Sequence, residues 1–219
     1  MKPFMTWLRK NPHALLMCYW IFYLIAFCTL EQITPEYTII HCFLDDYIPF
    51  NELFVIPYCL WYLWMPGSVL FLLFRDKIDY LRLCFIMFVG ITIAMICYVI
   101  WPTGLELREP LVRDNLLCQI VALLRSIDPP VNVCPSIHIS STTAIAIVGL
   151  RSYLFKNNVP MKIFIWCMTI LIFLSTVFLR QHSVIDVIAG AALSIILSLI
   201  AYRIPWERLF PSKENAAVR

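Results

Sequence analysis

Residues 134–155 read CPSIHISSTTAIAIVGLRSYLF. From Ile139 to Phe155 this is an apolar run close to the length that crosses a bilayer. Its opening is different in kind, with Pro135, Ser136 and His138 standing where the chain enters the apolar phase. An ionisable group there is costly unless it is paired or wetted, so His138 marks a site by default.

The whole chain shares the character of that run. Of its 219 residues 61% are hydrophobic and 14% charged, against about a quarter charged in soluble domains. A soluble core could not hide so much apolar surface. Comparable runs recur at Ala14–Leu30, Leu53–Phe74, Leu83–Trp101, Ile163–Leu179 and Val184–Tyr202. The expected fold is therefore all-α, an integral membrane bundle of about six transmembrane helices forming one domain over residues 1–219. Pro57 and Pro66 predict a kink in the second span.

Charge sorts by side. Thirteen of the seventeen Lys and Arg residues fall in the N-terminus, the second-to-third and fourth-to-fifth loops and the C-terminal tail. Only Arg108, Arg113, Arg125 and Arg180 fall on the other side, which also carries ten of the fourteen acidic residues. This bias predicts cytoplasmic termini and an extracytoplasmic site in the plasma membrane. The net charge of +3 is then a topology signal, with no nucleic-acid partner implied. No small-x-small cleavage site follows Leu30, so the first span is expected to be uncleaved. Nine cysteines are scattered without a CxxC pair. Most read as small buried hydrophobes, while Cys42, Cys118 and Cys134 face the outer side, where a disulfide between two of them is open.

The third-to-fourth connection, about 102–137, carries apolar residues at helical spacing over Asp114–Ser126: Leu116, Leu117, Ile120, Val121 and Leu124. That spacing predicts a short amphipathic helix at the interface, ended by Asp128-Pro129-Pro130. Further on, His182 and Asp186 stand at i and i+4, a spacing that shares one helix face. A carboxylate there fixes the imidazole tautomer and makes the other nitrogen a better nucleophile or base. Two histidines, one carboxylate and nearby arginines suit phosphoryl transfer: one histidine attacks phosphorus, the other protonates the leaving oxygen, and forked guanidinium donors hold the phosphate. Backbone N–H groups near Ser136–Ser140 could add anion donors.

The segments PSIH (135–138) and HSVID (182–186) resemble the second and third signatures of the type 2 phosphatidic acid phosphatase superfamily, Pro-Ser-Gly-His and Ser-Arg-x5-His-x3-Asp. The resemblance runs from about Trp101 to Gly190 and implies a six-span enzyme that hydrolyses lipid phosphate monoesters or diphosphates without a metal or other cofactor. It implies His182 as the nucleophile that forms a phosphohistidine, Asp186 as its orienting partner, His138 as general acid, and Ser136 and Arg108 as phosphate ligands. Three positions depart from the pattern. Arg108-Glu109-Pro110 replaces Arg-Pro with no lysine between Lys77 and Lys156, Ile137 stands for the glycine, and Thr176 stands for the arginine after Ser175. Cys-Pro-Ser-x-His (134–138) with Arg-Gln-His-x3-Asp (180–186) instead resembles a divergent branch near the lipid phosphotransferases of the sphingomyelin synthase type, and the resemblance leaves Arg180 to take over from the arginine missing at Thr176.

Other readings stay open from the sequence. A phosphotransferase would pass the headgroup to an acceptor alcohol. A transporter or channel subunit would carry charge midway along its spans, where this chain has almost none. His182 with Asp186 could be a structural pair, and His138, His182 and Asp186 have the ligand types of a zinc site, which the arginines disfavour. His13 reads as part of the basic flank and His41 as loop surface. Arg113 and Arg125 read as loop charges, Glu52 as an interfacial anchor or gate, and Trp61, Tyr62 and Trp64 as packing and belt residues. Expected partners are the membrane and a lipid phosphate substrate, with a homo-oligomer left open.

Overall fold

The computed structural model describes residues 2–33 and 36–210. Lys213 and Arg219, counted above among the basic tail, lie outside the described residues. The chain folds as an all-α membrane bundle: α1 (Lys2–Lys10), α2 (Tyr19–Ile33), α3 (Val55–Arg75), α4 (Lys77–Ile100), α5 (Leu116–Ile127), α6 (Ile137–Arg151), α7 (Val159–Phe178), α8 (Val184–Ala201) and α9 (Trp206–Leu209). A 3-10 segment, Pro12–Cys18, leads into α2, and two more, Phe43–Tyr47 and Glu52–Phe54, lie in the connection before α3. The only strands among the described residues are β1 (Thr38–Ile39) and β2 (Thr103–Gly104), paired in parallel so that Thr38 faces Thr103.

Among the described residues, five helical segments are long and apolar enough to cross a membrane: Pro12–Leu30, Glu52–Arg75, Lys77–Ile100, Val159–Phe178 and Val184–Ala201. The fourth expected span, Ile139–Phe155, is the departure. Helix α6 has 15 residues, about 22 Å of rise, short of a hydrocarbon layer about 30 Å thick. It ends at Arg151, where Ser152 turns the chain out and caps the next short turn. Nearly every residue from Ile137 to Gly149 except His138 is buried, because α3, α4, α7 and α8 pack around it. A helix enclosed by protein need not match the bilayer, and its start can lie below the surface.

Small residues let the helices approach α6 closely. Ser140 and Ser194 pair through their hydroxyls at 2.8 Å, and the Ser194 hydroxyl also donates to the Ser140 carbonyl at 2.7 Å. A Cβ on Gly90 of α4 would meet the Ser140 hydroxyl at 3.1 Å. Helix α3 runs unbroken through Pro66. Asp76 alone joins α3 to α4, its carboxylate accepting from the Ile78 and Asp79 N–H groups at 2.9 Å as an N-cap. On the outer faces, Ile21, Ile25, Phe74, Ile100, Ile163 and Ile188 are exposed, the apolar surface that lipid covers.

The predicted interfacial helix is α5, capped by the Asn115 side chain, which accepts from Cys118 N–H at 2.9 Å. Its buried stripe is Cys118, Val121 and Leu124, while Leu116 faces outward. Val121 and Leu124 pack with Val55, Tyr58 and Leu179, so α5 lies across the mouths of α3 and α7.

Candidate active site

The site assembles where α6 and α8 begin. Ser136 caps α6, its hydroxyl accepting from Ile139 N–H at 3.4 Å. The Cys134–Pro135 peptide is cis, and the Tyr98 hydroxyl of α4 donates to the Pro135 carbonyl at 2.7 Å. Helix α8 starts after a turn in which Arg180 adopts a left-handed φ of 58°. Ser183 and Asp186 close a reciprocal capping box there. His182 therefore precedes the helix, and the shared helix face expected from the i, i+4 spacing is not how the pair meets. Asp186 is the third residue of α8 and points back across its first turn. Its Oδ2 takes the Ser183 N–H at 2.9 Å and faces His182 Nδ1 at 3.4 Å.

The two motifs are clamped together by backbone. Ser136 N–H donates to the Asp186 carbonyl at 3.2 Å, and a Cβ on Gly190 would come within 2.5 Å of the Ser136 carbonyl. Only glycine permits this approach. Gly190→Ala is expected to destabilise the chain by about 1–3 kcal/mol, the range for overpacking a core, and to push the histidines apart. A melting curve beside turnover checks it, and the expected signature is a loss of turnover larger than the loss of folded protein.

That contact sets the central geometry. His182 Nε2 lies 3.3 Å from His138 Nδ1, giving an ordered line of His138, His182 and Asp186. His138 is held by aromatic rings of α3: Trp61 at 4.0 Å between centroids, Tyr58 at 4.7 Å and Tyr62 at 6.3 Å. Trp61 donates its Nε1–H to Ser141 at 2.9 Å, and the Tyr58 hydroxyl donates to Asp128 at 3.0 Å. Trp61, Tyr62 and the unpredicted Tyr58 thus line the site as well as pack the bundle, while Trp64 lies against Phe164.

Arg108 reaches the same neighbourhood from the loop. It donates to the side-chain oxygen of Gln181, the residue before the nucleophile candidate, and to the Asp128 carbonyl at 2.7 Å. Burial pulls its guanidinium below the ordinary arginine range, opposed by the Asp128 carboxylate. Arg180 takes another direction. It donates to the Asp45 carbonyl at 3.1 Å and pairs with Glu109 at 3.3 Å, on a cavity of about 410 Å³ that Glu52 and Arg113 also line. Its side chain is 10% exposed, and its Nε has no hydrogen-bond partner.

Ser136 is fully buried, with its oxygen serving the cap. Glu52 is buried and takes Arg113 at 2.7 Å and Asn115 at 3.2 Å, tying the start of α5 to that of α3. Arg125 donates to the Glu109 carbonyl at 2.7 Å. His41 pairs with Asp46 at 2.8 Å on the surface and His13 packs on Tyr80, both away from the paired histidines. All nine cysteines carry free thiols, so Cys42, Cys118 and Cys134 are unlinked. Burial, then the Asp186 carboxylate, push the Cys134 thiol up to about 12. Among the described residues no cluster of three His, Cys, Asp or Glu side chains is arranged to hold a metal.

A further residue that the sequence did not reveal is Asp45. It is 2% exposed; its Oδ2 accepts from the Ser183 hydroxyl at 2.7 Å and Cys42 N–H at 2.8 Å, and its Oδ1 from Val184 N–H at 2.9 Å. A carboxylate at the N-terminus of α8 is favoured by the helix dipole, and this one fixes the turn that carries Arg180 and His182.

Compared with protein-family models, the chain matches the PAP2 superfamily over residues 116–210. No curated protein and no solved structure matches it. The matched stretch holds both histidines, Asp186 and Arg180; Arg108 and Asp45 precede it. Over that stretch, somewhat under half of the chain, the sequence is similar to the PAP2 superfamily.

Proposed function

We propose that the chain is a membrane lipid phosphatase that hydrolyses a phosphate monoester or diphosphate of a lipid through a phosphohistidine. The coarser statement, a lipid phosphoryl reaction of phosphatase or phosphotransferase type, follows from the family match. The observation that carries the finer reading is the line His138–His182–Asp186, with 3.3 Å and 3.4 Å separations. Catalytic hydrogen bonds are often long before substrate tightens them.

In this reading Asp186 holds the proton on His182 Nδ1, leaving the Nε2 lone pair to attack phosphorus. The phosphorus–oxygen bond to the lipid breaks, and the leaving oxygen takes a proton from His138 Nδ1, the atom beside the attack point. Water then attacks phosphorus while His138 takes its proton; the new phosphorus–oxygen bond forms as the phosphorus–nitrogen bond to His182 Nε2 breaks, which releases phosphate and restores both histidines. Arg108 and the N–H groups at the start of α6 stabilise the charge on the transferring group, and Arg180 joins them only by leaving Glu109, its partner in the structure; Ser136 keeps its cap and can add its hydroxyl proton. The orientation proposed, with cytoplasmic termini, rests on the basic-residue bias.

A second reading has one observation in its favour. The aromatic wall of Tyr58, Trp61 and Tyr62 around His138 suits exclusion of water, which a phosphotransferase needs. Purified protein given lipid monophosphates, lipid diphosphates and phosphodiester lipids with an acceptor alcohol separates the two. Release of free phosphate supports hydrolysis, and headgroup appearing only on the alcohol replaces it with transfer.

Arg180 supplies a sharper test. As a forked phosphate ligand that exchanges Glu109 for substrate, it cannot be replaced by a point charge. Arg180→Lys is expected to lose a factor of about ten or more in turnover, on the order of 1.4 kcal/mol of barrier, with normal membrane expression. Turnover within twofold of wild type would leave Arg108 as the phosphate clamp.

A further inference from the structure

A second concavity lies away from the histidines. A cavity of about 560 Å³ opens between α3 and α7 with α6 behind it, walled by Leu63, Trp64, Gly67, Gly149, Phe164 and Ile165. Its walls are apolar and belong chiefly to the membrane-crossing helices α3 and α7, so hydrocarbon is what it can hold. Gly67 gives it room, since a Cβ there would meet nothing within 4 Å.

One end of this groove is cationic. Phe71 and Phe155, both lining it, stack at 5.8 Å at the end farthest from the histidines. The Arg75 guanidinium sits over Phe71 at 6.0 Å, and Lys156 Nζ over Tyr153 at 5.5 Å. Lys162 donates to the Lys156 carbonyl at 3.0 Å, which folds the α6–α7 turn over the same end. The described acidic residues at this end are engaged elsewhere: Asp76 caps α4, and Asp79 and Glu207 both face Arg82. An apolar slot ending in aromatic rings and three cations matches a lipid chain attached to an anionic head.

We infer that this groove binds a phospholipid with an anionic headgroup from the leaflet that meets the basic end of the bundle. One acyl chain lies against Gly67 between α3 and α7, and the headgroup phosphate contacts Arg75, Lys156 and Lys162. The site is separate from the paired histidines, and its test reads binding rather than catalysis.

The full chain, purified in neutral detergent, is offered phosphatidylglycerol or phosphatidylcholine of identical acyl chains, and retained lipid is counted by native mass spectrometry. Wild type is expected to retain several-fold more phosphatidylglycerol. Combined Arg75→Gln, Lys156→Gln and Lys162→Gln should equalise the two lipids. Gly67→Trp should lower retention of both by several-fold, with Gly67→Leu intermediate; that graded series distinguishes filling of the groove from misfolding. Equal retention of both lipids by wild type, or unchanged retention in both Gly67 variants, overturns the inference. So does a tenfold rise in KM for the reacting lipid in Gly67→Leu without loss of phosphatidylglycerol, because the groove would then hold the substrate's own tail.

Discussion

Replacing His182 by Ala is expected to lower turnover by about 10⁵-fold or more, about 7 kcal/mol of barrier, the scale seen when a covalent nucleophile is removed. No other side chain can take its place. His138 is the only other imidazole in the site, and its ring is enclosed by Trp61 and Tyr58 without a carboxylate partner of its own. Folding should survive, because Asp186 keeps the Ser183 N–H and Asp45 keeps the start of α8. Turnover and a melting curve on the same preparation check both halves. Activity within tenfold of wild type would remove His182 from the role of nucleophile.

His138 should behave differently, and the difference identifies its role. His138→Ala is expected to cost about 10²–10⁴-fold on a lipid phosphate, the usual worth of a positioned acid. On a substrate whose leaving oxygen is already stable as an anion, the first step should approach the wild-type rate. His138→Gln keeps most of the volume against Trp61 and Tyr58 and should show the same dependence on leaving group, which separates lost proton transfer from a collapsed wall. A uniform loss on both substrates would make His138 a positioning residue for His182.

Much of this arrangement was legible because its signals are local. Apolar runs mark α2, α3, α4, α7 and α8, and the stripe in 114–126 marks α5. What stayed hidden depends on contacts across the chain. Asp45 sits 138 residues before Ser183, and nothing in LDDY distinguishes a helix cap from a loop acid. Trp61 and Tyr62 read as bundle packing, and Tyr58 gave no signal, because an aromatic on a membrane helix carries no mark of what it packs against. The length of α6 was overestimated because hydropathy continues through Tyr153–Phe155, while the helix ends where Ser152 turns the chain. The i, i+4 spacing of His182 and Asp186 identified the right partners with the wrong geometry, since a capping box also brings the third helical residue back to the residues before the helix.

Every role proposed for the site depends on phosphate passing through His182 Nε2. The direct measurement is to mix the protein with a lipid phosphate, quench in alkali, where a phosphohistidine survives, and map the modified residue by mass spectrometry. One phosphoryl group is expected on His182, retained in His138→Ala with a good leaving group and absent in His182→Ala. Full turnover with no covalent phosphate under any quench, or phosphate on another residue, would contradict it.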